Sequence, residues 1–141
     1  MKVIYAETSA VLGWLLGEKG ALKPAAVIDS ADKVVTSALT VLEASRGLLR
    51  AVGQRRVTSA AAGSLKGLLA QAAAQWDLME ITAEIRARAA EPFPAEPVRT
   101  LDAIHLVTAL EFAKIYPAVS ILSSDSRILA NLEPLGLTPA E

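Results

Sequence analysis

Apolar residues in this chain follow two rhythms: short runs bounded by polar groups, and longer stretches in which they recur every three or four positions. Val3 to Ala6 is the first short run, with Lys2 before it and Glu7 after it, as a strand buried on both faces of a parallel sheet would be. Val11, Leu12, Leu15 and Leu16 then keep helical spacing, with Thr8 or Ser9 to cap that helix and Gly17 and Gly20 to stop it. A second helix is predicted over 21–30, with Pro24 tolerated in its first turn. Residues 33–36 read as a strand, and Ser37 caps a long helix over 38–52. Leu42, Leu49 and Val52, with Leu39 and Val41 nearby, form its expected buried stripe. Residues 58–75 are helical and rich in Ala and Gly, 76–81 alternate as a third strand, and Thr82 caps a helix running to about residue 90. After a loop broken by Pro92, Pro94 and Pro97, a strongly apolar helix opens around Asp102. A strand at 119–122, a helix after Asp125 and an edge strand over 135–138 complete the order.

Strands separated by helices require crossover connections, so the expected fold class is α/β, with a mainly parallel sheet covered on both faces. The length of 141 residues suits one domain with one sizeable core, and no repeat or linker suggests a second. Hydrophobic residues make up 52% of the chain and aromatics only 4%, so Ala, Leu, Val and Ile must build the core. There is no cysteine and one histidine, which excludes thiolate metal sites and nearly excludes zinc chemistry. The absence of cysteine agrees with a reducing, cytoplasmic setting. No segment has the length and character of a secretion signal or membrane span. The formal net charge of −1 gives no global attraction for nucleic acid, so any such attraction has to be local.

In parallel α/β folds, polar groups at the carboxyl ends of strands and at the adjoining helix starts share a crevice where ligands bind. Glu7 and Asp125 belong there, and Asp102 opens a helix beside them. Asp102 and Asp125 are also readable as plain helix caps, with Thr100 or Asp102 itself serving the free amides of its helix. Several carboxylates in one crevice repel one another unless a cation joins them. Carboxylates with retained water suit Mg²⁺ or Mn²⁺, ions that activate water and stabilise the leaving oxygen of a phosphodiester.

The segments Tyr5-Ala6-Glu7-Thr8-Ser9-Ala10, Leu42-Glu43-Ala44, Leu101-Asp102-Ala103-Ile104-His105-Leu106 and Ser123-Ser124-Asp125-Ser126-Arg127 resemble, in order, the four acidic motifs of PIN-domain ribonucleases. The likeness is nearest the VapC-type toxins of toxin–antitoxin pairs and runs through nearly the whole chain, with the third motif its most specific part. It implies a three-layer α/β sandwich over 1–141 and an endoribonuclease dependent on Mg²⁺ or Mn²⁺. It also implies RNA as substrate, a cognate antitoxin and a homodimer. Position by position, Glu7, Glu43, Asp102 and Asp125 would form the acidic cluster, with Glu7, Asp102 and Asp125 as metal ligands. Thr8, Ser9 and Ser124 would hydrogen-bond near it. The family usually carries Asp where this chain has Glu7, which shifts the oxygen donors by one methylene.

Arg46 and Arg50 lie three and seven positions beyond Glu43, on a shared helix face, and read either as guides for RNA phosphate or as ordinary surface charge. Arg127 has the same two readings. His105, without another nitrogen ligand, is expected to pack or to support the acids rather than to bind metal. The Ala-rich 58–75 helix is expected to pack closely, with Leu65, Leu68 and Leu69 offering an apolar channel for an antitoxin helix. Two other readings compete: a catalytically degenerate domain that only binds RNA or protein, motivated by Glu7, and a phosphoaspartyl receiver. The receiver fits poorly, since the third strand ends in Glu80-Ile81 without an acceptor aspartate and no lysine follows 119–122.

Overall fold

The computed structural model of the chain describes residues 1–17 and 24–141. The first strand, β1 (Val3–Ala6), leads into α1 (Thr8–Leu16), which ends where Gly17 adopts φ +67°, a left-handed conformation that glycine takes without steric cost. The expected stop at Gly20 and the first residues of the second helix lie outside the described residues; that helix is described as α2 (Pro24–Ser30). Next come β2 (Lys33–Ser37), α3 (Ala38–Gly53), α4 (Ser59–Ala73), β3 (Asp77–Met79) and α5 (Ala83–Ala89). The chain closes with α6 (Thr100–Ile115), β4 (Ser120–Leu122), α7 (Ser126–Leu132), a 3-10 turn at Glu133–Leu135 and β5 (Thr138–Pro139).

The five strands form one sheet in the order β3-β2-β1-β4-β5, with every pairing parallel. Because side chains alternate across a strand, β1 sends Val3 and Tyr5 to one face and Ile4 and Ala6 to the other. Val3 and Tyr5 pack with Ile85, Leu106, Phe112, Ile128 and Leu132 of α5, α6 and α7. Ile4 and Ala6 pack with Val11, Leu15, Ile28, Leu48 and Leu69 of α1 to α4. The result is a three-layer sandwich with β1 at its centre, and the order puts β1 and β4 side by side with their carboxyl ends, at Ala6 and Leu122, in register.

Three expectations are corrected. Leu42 and Leu49 of α3 are each 60% exposed, and the face that α3 buries is Thr40, Ala44, Gly47, Leu48 and Ala51. Small residues win that face because α1 comes close: a methyl group on Gly47 would meet the Leu12 side chain at 2.7 Å. The cap of α1 is Glu7 rather than Thr8 or Ser9. The last strand begins at Thr138, because residues 133–135 coil into the 3-10 turn and Gly136 reverses the chain with φ +76°. In α4 only Ala62 and Leu69 are buried, and most of its other small residues are exposed. No helix among the described residues is long and apolar enough to cross a membrane.

Candidate active site at the carboxyl edge of the sheet

Glu7 follows β1 directly and is only 5% exposed. Its Oε2 accepts the Ser9 backbone amide at 2.9 Å, which caps α1, and its Oε1 accepts the hydroxyls of Ser9, at 2.7 Å, and Ser123. Each of those hydroxyls in turn accepts a backbone amide of the loop between β4 and α7: Ser9 that of Ser124 at 2.9 Å, and Ser123 that of Asp125 at 3.0 Å. Glu7 is therefore stapled to the far end of the chain through two serines. Ser124, expected to bond with its side chain, is exposed and contributes its amide; Ser123 supplies the hydroxyl. The sequence signal for Ser123 was available, since a serine two places before a helix-capping aspartate commonly bonds to the backbone two residues on.

Asp125 caps α7, its Oδ1 accepting the Arg127 backbone amide at 2.8 Å. Asp102 sits in the first turn of α6, whose cap residue Arg99 provides no side-chain bond. Its carboxylate reaches back to the Arg99 amide, yet its Oδ2 is buried without any hydrogen-bond partner, the sole such side-chain oxygen or nitrogen among the described residues. Burial, then the negative charge of Asp125, and more weakly that of Glu7, push the Asp102 carboxyl above its ordinary range. A buried acceptor left unpaired is costly, and here two acids worsen it. A cation would relieve both strains.

Glu43, on α3, is tied differently. His105 Nε2 lies 2.6 Å from its Oε1, and the Thr8 hydroxyl donates to the same oxygen at 2.7 Å. Burial would raise the Glu43 carboxyl, but the His105 and Thr8 hydrogen bonds, helped by the positive charge of Arg50, outweigh it and hold the group below its usual range. His105, 2% exposed, also has the Thr8 hydroxyl 3.1 Å from Nε2 and the Tyr5 hydroxyl 2.8 Å from Nδ1. Tyr5 had been legible only as a core residue of β1. Arg46 and Arg50 are exposed on α3, and Arg127 is half-buried after Asp125.

Asp125 and Glu7 thus act electrostatically on Asp102, while Glu43 is held by α1 and α6. Among the described residues no three acids or imidazoles close into a ready ligand cage. Magnesium-like ions are bound through one or two carboxylates and keep several waters, so an open set with one unpaired oxygen fits such an ion. The chemistry open to this edge of the sheet is water activation beside a charged phosphate, with no cysteine or free histidine nucleophile required.

The family model of the PIN domain matches residues 4–132. The chain is also 33% identical over 137 residues to Ribonuclease VapC35 of Mycobacterium tuberculosis, in both strain CDC 1551 and strain H37Rv, an alignment covering 96% of this chain and 93% of the relative.

Proposed function

This chain belongs to the PIN-domain family, and on that premise we propose that it is a VapC-type ribonuclease, the toxin of a toxin–antitoxin pair, hydrolysing RNA phosphodiester bonds with a divalent metal. The observation that carries the reading is Asp102 Oδ2, buried, unpaired and pressed by neighbouring acids, where an ion would complete it. Glu7, Asp102 and Asp125 are the proposed holders of Mg²⁺ or Mn²⁺. When bound, the ion would make water a better nucleophile and neutralise charge on the phosphate.

The chain's own groups do the rest. Glu43, kept ionised, accepts a hydrogen bond from the attacking water and so orients it toward phosphorus. Ser9 and Ser123 fix the Glu7 carboxylate, and the β4–α7 loop with it. Arg46, Arg50 and Arg127 are the proposed contacts to RNA phosphates. The reading carries with it an antitoxin partner, a homodimer and a cytoplasmic site of action.

The test is cleavage of a total RNA pool by purified protein with added Mg²⁺, with Mn²⁺ and with chelator, new ends being mapped. Metal-dependent cleavage in wild type that disappears in Asp102→Asn is expected. Wild-type cleavage by the mutant would remove Asp102 from the site, and no cleavage under any metal would favour the degenerate binding module.

A further inference from the structure

His105 and Tyr5 are one hundred residues apart, both buried, and neither is among the four acids, yet together they determine how Glu43 is held. An ionised carboxylate only accepts hydrogen bonds, so the Nε2 that sits 2.6 Å from Glu43 Oε1 must carry a proton. In a neutral imidazole Nδ1 is then an acceptor, and it meets the Tyr5 hydroxyl at 2.8 Å. Because Nδ1 then has no proton to give, the Tyr5 hydroxyl donates to it; Thr36 and Ser37 lie beside the phenol oxygen on its other side. Burial keeps the phenol protonated by pushing it far above its ordinary range. Thr36 is locked in turn by the Ala6 carbonyl at 2.6 Å and Thr40 at 2.7 Å.

His105 and Thr8 both converge on Oε1 of Glu43, leaving Oε2 uncommitted among the described residues. We propose that Tyr5 and His105 form a positioning relay for Glu43: Tyr5 fixes the Nε2–H tautomer of His105, and His105 pins one carboxylate oxygen so that the other is presented to the reacting water. The relay rests on the reading of Glu43 as part of a nuclease site. Neither residue touches substrate; both act through the carboxylate. Thr8 alone would leave the carboxylate free to swing about a single hydrogen bond, and a displacement of about 1 Å at such a group costs on the order of a hundredfold in rate.

The chain has a single histidine, so the ring-nitrogen signals of the ¹⁵N-histidine-labelled protein belong to one residue. At mildly alkaline pH the wild type is expected to show the Nε2–H tautomer, and Tyr5→Phe a mixture, because Nδ1 loses its donor. In cleavage of a short labelled RNA, His105→Ala is expected to lower kcat on the order of a hundredfold with KM changed less than about twofold. His105→Gln, whose amide N–H can reach the place of Nε2–H, is expected to regain most of that loss. A purely packing role would make the glutamine and alanine variants equally poor, and that result overturns the relay. So does an Nδ1–H tautomer in wild type, or a wild-type kcat in His105→Ala. If wild-type protein cleaves no RNA, the nuclease reading fails by itself, and the tautomer signals of wild type and Tyr5→Phe still decide whether Tyr5 controls His105.

Discussion

Asp102 and Glu43 are carboxylates at the same edge of the sheet, and their surroundings drive their protonation in opposite directions. Asp102 is raised by burial and by its acidic neighbours, so what it contributes to stability is fully present below its ordinary pKa and lost as pH rises through the folded value. Glu43 is lowered against its burial by His105 and Thr8, so its contribution is present above its ordinary pKa and is lost as pH falls through the folded value. Metal-free Asp102→Asn should therefore melt higher than wild type at neutral pH, with the gap closing as pH drops toward the ordinary aspartate range. A gap independent of pH, followed by thermal melts, would contradict the charge repulsion. Added Mg²⁺ or Mn²⁺ should raise the wild-type midpoint more than that of the mutant, by ligand linkage. At Glu7, Oε1 joins Ser9 and Ser123, contacts for which the side chain's full length is in use. Shortening it by Glu7→Asp should keep the cap on Ser9 but draw the carboxylate away from Ser123, costing roughly 1–3 kcal/mol of stability and lowering cleavage at every metal concentration. Equal or higher cleavage by Glu7→Asp would show that the rest of the site still suits aspartate, and activity retained in Glu7→Gln would take Glu7 out of the site.

Among the elements, α6 depends most on what precedes it, because its first turn carries Asp102 and its entry is an irregular segment with three prolines. That segment is pinned to α7 by Asn131, fully buried, whose Oδ1 accepts the Ala95 amide at 2.8 Å and whose Nδ2 donates to the Ala95 and Arg127 carbonyls at 3.0 and 2.9 Å. Asn131→Leu would strand the Ala95 amide and carbonyl, so a loss of roughly 2–4 kcal/mol is expected in urea unfolding, with cleavage falling as the start of α6 loosens. A variant as stable as wild type would mean that the segment holds its shape unaided. Nothing in the sequence marks Asn131, which reads as a polar residue near a helix end. The buried face of α3 is hidden in the sequence for a related reason: large aliphatic residues signal burial more strongly than Ala44, Gly47 and Ala51, but close approach to α1 selects the small ones. By contrast β1 was legible to the residue, because Val-Ile-Tyr-Ala is bounded by charge on both sides.

For the whole molecule, a net charge of −1 means that attraction for RNA rests on a few cations rather than on an overall field. Replacing Arg46 and Arg50 together by alanine should weaken RNA binding and flatten its dependence on salt by about 1.4 in the log–log slope, two phosphate contacts on a single strand. An unchanged slope would leave these arginines as ordinary surface charge. The layered fold and the places of Glu7 and Asp125 were legible because they follow from strand-to-helix junctions read locally. The staple between Glu7 and Ser123 and the contact of Tyr5 with His105 were not, since they join positions 116 and 100 residues apart and depend on β4 settling beside β1. That adjacency also has a consequence in time. During synthesis the opening strand and its glutamate leave the ribosome long before Ser123 exists, and the crevice has no second wall until β4 is made and paired. A growing chain therefore holds scattered acids instead of an assembled site until β4 has paired with β1 and Ser123 has closed on Glu7.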